Sequence, residues 1–255
     1  MIKTALTVIV LTVPMWAQEK SDLPETVGRQ HGPIIIHERH GKNVTSTNWS
    51  GYAVTGSKDS ISDVKGSWTV PPIQGTCPST NQYASFWVGI DGYSSNTVEQ
   101  VGTDSDCQNG VPTYYAWFEF YPHPSFEINS LAIHANDVIT AEVKYSGGRF
   151  TATITNTSTG QTFSTSTKVN SAARSSAEWI AEAPYSGGVL PLADFGTVSF
   201  TASDTTESGT TGTIGSFASN VEIAMVSNSG AIKAQPSVLS ASGDSFTDSW
   251  FSAGP

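Results

Sequence analysis

The sequence predicts an all-β domain, a sandwich or a barrel, on three observations. Short apolar runs alternate with turn clusters, mostly every 8–15 residues. The runs favour β-branched and aromatic residues, which suit a pleated, half-buried surface. No stretch keeps helical periodicity beyond a few turns, and no strict internal repeat is present.

The chain opens differently. "MIK" supplies a positive start, and "TALTVIVLTVP" is an apolar run too short to span a bilayer. "MWA" before Gln18 suits a cleavage site, so residues 1–17 read as a signal peptide and the product as secreted. Residues 18–46 form a second unit, read as a propeptide. Up to residue 44 it carries Lys20, Arg29, Arg39 and Lys42 beside four acids, with His31, His37 and His40. Residues 45–255 hold 18 acids against 7 bases. A segment with fixed cations and histidines is expected to cover an acidic cleft and leave in acid. The apolar Pro33–Ile36 run is the expected occupant of the cleft.

From residue 47 to 255 the strand pattern is continuous. "NWSGYAV", "VKGSWTVPP", "YASFWVGIDG", "YYAWFEFYP", "VITAEVKYSGG", "RFTATITNTSTG", "QTFSTSTKV", "FGTVSFTAS" and "NVEIAMV" follow in order. "YSGG" and "TSTG" read as hairpin turns. Cys77 and Cys107 are the two cysteines, and in an oxidising compartment they are expected to pair.

Charged residues make up only 13 % of the 255, and the net charge is −10. Neither nucleic acid nor an anionic membrane is a natural partner for such a chain. There is no HExxH and no GxSxG, and two cysteines without paired histidines make a poor zinc site. The body's histidines, His123 and His134, lack a catalytic context. No metal or cofactor is expected.

Strand parity sorts the remaining candidates, because side chains alternate between faces. In "ASFWVGID", Phe86, Val88 and Ile90 share a core face, and Trp87 and Asp91 lie opposite. In "YAWFEFY", Phe118 and Phe120 are core, and Trp117, Glu119 and Tyr121 lie opposite. In "SAEWIAEA", Glu178, Ile180 and Glu182 share a face, and Trp179 points away. In "NTVEQVG", Val98 and Gln100 lie opposite Glu99. Several strands thus present tryptophan, carboxylates and an amide on one face, the lining of a cleft.

The motifs "NWSGYAV", "WVGIDG", "EQVG", "AWFEFYP", "NTSTGQTF", "AEWIAEAP" and "PLADFGTVSF" stand in the order seen in the glutamic peptidases, or eqolisins, which the chain resembles over residues 47–230. The resemblance implies a β-sandwich of two large antiparallel sheets, a lectin-like (concanavalin-like) jelly roll. It implies an acid endopeptidase acting on protein or peptide substrates as a monomer. It assigns a catalytic dyad to Gln100 and Glu182, with Trp87, Asp91, Trp117, Glu119 and Glu178 lining or supporting the cleft. Two departures stand out. Glu99 occupies a position where the family carries an apolar residue, and "AP" follows Glu182 in place of an acidic–aromatic pair. Two other classes fit the composition: a secreted glycoside hydrolase using Glu119 and Glu182, and a lectin-like binding module.

Overall fold

A computed structural model describes Thr26 and residues 28–254. The segment read as a signal peptide lies outside the described residues. The strands are β1 (Ile36–His40), β2 (Asn43–Ser46), β3 (Trp49–Thr55), β4 (Ile61–Thr69), β5 (Ser85–Ile90) and β6 (Val98–Gln108). They continue with β7 (Val111–Tyr121), β8 (Phe126–Glu127), β9 (Val138–Ser146), β10 (Arg149–Asn156), β11 (Gln161–Thr167) and β12 (Ser176–Glu182). The last are β13 (Thr197–Glu207), β14 (Thr210–Thr213), β15 (Asn220–Val226), β16 (Ile232–Pro236) and β17 (Phe246–Trp250). A single 3₁₀ turn at Ile214–Ser216 is the helical content of the described residues.

The pairings resolve into two sheets. The first runs β1–β2–β15–β3–β12–β5–β6–β7–β8. The second runs β11–β10–β9–β4–β13, with β14 and β17 sharing the far edge of β13. β16 pairs with both β15 and β17 and joins the sheets along one side. Every ladder is antiparallel except β2 with β15. "YSGG" and "TSTG" are the β9–β10 and β10–β11 turns.

The predicted parity holds. Phe86, Val88, Ile90, Phe120, Trp179, Phe150 and Phe200 fill the layer between the sheets. Each such side chain stabilises the fold by about 1.5–3 kcal/mol through burial. Trp49, Trp87, Trp117, Val98 and Ile180 form a second cluster on the other face of the first sheet, with Ile34 and Ile36 against it. β5 and β12 are therefore buried at every position, because both of their faces are covered.

Two glycines let the tryptophans approach. A Cβ at Gly102 would overlap the Phe86 carbonyl oxygen and the Trp87 Cβ. Gly51 sits at φ +135°, and a Cβ there would overlap the Trp179 carbonyl oxygen. Cys77 and Cys107 form a disulfide, which ties the end of β6 to the loop before β5.

Candidate active site

The site lies on the outer face of the first sheet, where three rows of residues cross β3, β12, β5, β6 and β7. The register gives one row as Ala53, Glu178, Gly89, Gln100 and Glu119. The next is Gly51, Ile180, Trp87, Gly102 and Trp117. The third is Trp49, Glu182, Ser85, Asp104 and Tyr115. Cross-strand neighbours in a row stand close enough to touch. Each row therefore mixes small residues with a carboxylate, an amide or an indole.

Over these rows runs the segment 28–36, a strap from the N-terminal side of the chain. Its contacts are specific. Gln30 and Tyr185 exchange two backbone hydrogen bonds at 3.0 Å. The His31 N–H donates to Glu119 Oε2 at 2.7 Å. The Gln100 side-chain amide donates to the His31 carbonyl oxygen. The His31 ring stacks on Trp117 with centroids 3.6 Å apart and planes 6° from parallel. Its Nδ1 lies 3.5 Å from Glu182 Oε2. His31, Gln100, Glu119 and Glu182 are all fully buried. His31, and not the Pro33–Ile36 run, thus meets both Gln100 and Glu182. Ile34 and Ile36 pack instead at the edge of the tryptophan cluster.

Arg29 anchors the strap two residues earlier. Its guanidinium donates to Asp106 Oδ2 at 2.6 Å, to Asp104 Oδ2 at 3.1 Å and to the Tyr115 hydroxyl. It also lies over the Tyr83 ring, 4.2 Å from the centroid. Asp104 in turn accepts from Trp117 Nε1 and the Tyr115 hydroxyl, both at 2.6 Å. Motif reading missed Asp104 and Asp106. Their parity on β6 matches that of Gln100, so "TDSDC" carried the signal.

The electrostatics follow from the strap's seal. Burial pushes Glu182 well above the usual carboxylate range, and the nearby Glu119 adds to the rise. The Trp87 Nε1–H, 2.8 Å from Glu182 Oε2, works against it. Burial also raises Glu119, partly offset by the His31 N–H. His31 is driven well below its ordinary value by burial and by the Arg29 charge. Asp106 is pushed up to about 6 by burial, with Arg29 opposing. Both the second oxygen of Glu182 and the Gln100 carbonyl oxygen are buried with no hydrogen-bond partner among the described residues.

Two predicted site residues stand apart from the strap. Asp91, at φ +76° just after β5, accepts from the Arg174 and Ser175 backbone N–H at 2.7 and 2.9 Å. It fixes the loop entering β12 and does not face Glu182. Glu178 shares the Gln100 row and is fully buried. Burial raises it, and the charges of Asp91 and Glu99 add to that.

A model of the peptidase A4 family matches residues 47–247. Aspergillopepsin-2 from Aspergillus niger is 32 % identical over 226 residues, which cover 79 % of this chain and 77 % of that protein. A crystal structure of scytalido-glutamic peptidase with a transition state analog inhibitor aligns with a TM-score of 0.68 at 26 % identity, covering 80 % of this chain and 98 % of the other. SCP-B, an eqolisin solved in complex with the tripeptide Ala-Ile-His, aligns at 0.64 and 28 % identity over the same shares.

Proposed function

Since the chain belongs to the peptidase A4 family and is a glutamic-type endopeptidase, we propose that it is a secreted acid peptidase in which Gln100 and Glu182 are the dyad and the strap is an inhibitory propeptide. One observation carries this reading: a single residue, His31, offers its carbonyl oxygen to Gln100 and its ring to Glu182. A bound peptide presents its scissile carbonyl in that way.

The chemistry follows from the atoms. Hydrolysis needs an activated water, a donor for the developing oxyanion and a proton for the leaving amine. Glu182 as carboxylate takes a proton from water and returns it to nitrogen. Its Oε2 is held by Trp87, so Oε1 is the oxygen free to act. The Gln100 Nε2 donates to the oxyanion, and its Oε1 accepts from the same water. An amide donor keeps its proton at every pH, which suits work in acid. The raised affinity of Glu182 for protons belongs to the sealed cleft. Once the strap leaves, water reaches the carboxylate and the Trp87 N–H remains to hold it ionised.

The strap thus silences the enzyme twice. It occupies the dyad, and by desolvation it turns the base into an acid. Inhibitor and tripeptide complexes of similar structures support a peptide as the natural occupant. Membership of a peptidase family disfavours the glycosidase and binding-module readings. No helix of the described residues is long and apolar enough to cross a membrane.

The test is protein digestion in acid by wild type, Gln100→Ala and Glu182→Gln. Loss of the oxyanion donor or the base is expected to cost roughly 100–1000-fold or more. A folded Glu182→Gln enzyme with near-normal turnover overturns the dyad.

A further inference from the structure

We infer that the strap is the enzyme's own first substrate and that the bond cut in it is His31–Gly32, so that the mature chain begins at Gly32. The inference rests on the dyad reading and adds to it the bond, the direction of the strap and the fate of the residues on either side.

Three carbonyls around the dyad have named partners. Gln30 C=O accepts from the Tyr185 N–H at 3.0 Å. Pro33 C=O accepts from Asn48 Nδ2 at 3.2 Å. Between them, His31 C=O takes the Gln100 amide. The carbonyl aimed at the oxyanion donor is therefore that of His31, while those of Gln30 and Pro33 are engaged elsewhere. In the step itself, the water oxygen bonds to the His31 carbonyl carbon. The carbon–nitrogen bond to Gly32 breaks. The proton taken from water by Glu182 passes to the Gly32 nitrogen. The products are a carboxyl group at His31 and an amine at Gly32, with no other reactant.

The two sides of that bond are held by different means. Upstream, Arg29, Gln30 and His31 are fixed by side-chain and backbone contacts to the cleft alone. Downstream, the chain is woven into the fold. Ile34 N–H donates to Gly92 C=O at 3.1 Å, and Ile35 N–H donates to Asn48 Oδ1 at 2.7 Å. β1 and β2 then pair, and β2 lies along β15. A cut at His31–Gly32 frees what blocks the site and leaves what builds the sheet. Residues 32–46, with β1 and β2, accordingly remain in the mature enzyme. Gly32 carries no side chain next to Tyr121, whose ring would lie 3.6 Å from a Cβ there, so the leaving amine is uncrowded.

The seated strap also slows its own cleavage. Burial holds Glu182 toward the protonated form, which cannot draw a proton from water. Cleavage is expected as a slow single turnover.

The experiment follows the precursor by intact mass and N-terminal sequencing at stepped acidic pH. Wild type, Glu182→Gln and Gly32→Pro are compared, and turnover of an added fluorogenic peptide is read in parallel. Expected for wild type is loss of everything up to His31, a new N-terminus at Gly32 and a rate unchanged on serial dilution. Glu182→Gln and Gly32→Pro should keep the strap. A first new N-terminus elsewhere in wild type, while it hydrolyses the added peptide, overturns the inference and leaves the dyad standing. So does maturation of Gly32→Pro at the wild-type rate. A rate that rises with protein concentration overturns the intramolecular cut. If Glu182→Gln both sheds its strap and hydrolyses the peptide, the dyad itself has failed.

Discussion

The His31 Nδ1 lies 3.5 Å from Glu182 Oε2, and neither residue is reached by solvent. An imidazole with an ordinary pKa near 6.5 and a carboxyl group are thus sealed together, each shifted toward its neutral form. On the proposed reading of the strap as a propeptide, the response to pH is written in that pair and in the charges around it.

Acid should expel the strap through His31. Free in solution, its ring takes a proton below about pH 6.5; seated, it resists. The seated state is favoured by this residue above that pH and loses about 1.4 kcal/mol per pH unit below it. The facing carboxyl groups act in the opposite sense. Glu119, Glu182, Asp104 and Asp106 are raised in the sealed cleft chiefly by burial, against the opposing pull of Arg29 on the two aspartates. They favour the seated strap as pH falls, but only down to about 4, where free carboxylates are already protonated. Below that the His31 deficit is left to oppose the seated strap. The strap is expected to be tightest near pH 4 and to loosen as the pH falls further. His31→Phe keeps the stack on Trp117 and removes the titration. Tryptophan fluorescence of the catalytically inert Glu182→Gln precursor should show acid release, and the same precursor with His31→Phe should lack it. An unchanged acid limb refutes the assignment.

Trp87→Phe should shift the pH profile of the mature enzyme. The indole N–H donates to Glu182 Oε2 at 2.8 Å and lowers its affinity for protons. A hydrogen bond to a charged group is worth about 1.5–3 kcal/mol, or roughly one to two pKa units. Without it the acidic limb of kcat/KM on a fluorogenic peptide is expected to move up by about one unit or more. A drop in rate with the limb in place would mean that Trp87 only packs.

Glu99→Gln should stabilise the fold at neutral pH and leave it little changed at pH 4. Glu99 pairs with Ile90 and Phe120 on the face between the sheets. Burial, with Asp91 adding, pushes its pKa from 4.5 up to about 9. A carboxyl raised on folding must keep a proton that the unfolded chain releases, so it costs nothing below its unfolded pKa and progressively more above. At pH 7 the linkage amounts to about 3 kcal/mol. Asp248, pushed up to about 7 by burial, acts in the same sense. Urea unfolding at pH 4 and pH 7 measures the effect. An equal shift at both values would show packing, not titration, to be responsible.

The sequence revealed faces better than neighbours. Alternation in β5, β7, β12 and the start of β6 sorts Trp87, Trp117, Glu119, Glu182 and Gln100 to one side without any structure. The motif "NTVEQVG" covers only the start of β6, which runs on through "TDSDC" to Gln108. Asp104 and Asp106 were lost with that continuation. No periodicity could tell that His31 would meet residues about 70 and 150 positions away. Apolar Pro33–Ile36 looked the better ligand because a cleft lined with tryptophan invites apolar contact. The cleft's carboxyl groups and amide instead select the polar backbone and imidazole of His31 and the cation of Arg29. Likewise, β2 joins the sheet through β15, a pairing of Asn43 with Glu222 that local pattern does not reach.

That pairing has a kinetic consequence. With β1 and β2 fastened in the sheet, the strap is a ligand on a tether of a few residues, and its effective concentration at the cleft is on the order of millimolar. Weak contacts suffice to keep an intramolecular blocker seated, and opening is answered at once by rebinding. A single cut removes the tether. The same peptide then drifts into the surrounding volume, where its concentration is that of the protein itself, and the equilibrium that held the site shut no longer has a partner to draw on. Under the proposed cut, activation acts as a ratchet, made one-way by dilution even if the freed strap keeps all of its intrinsic affinity.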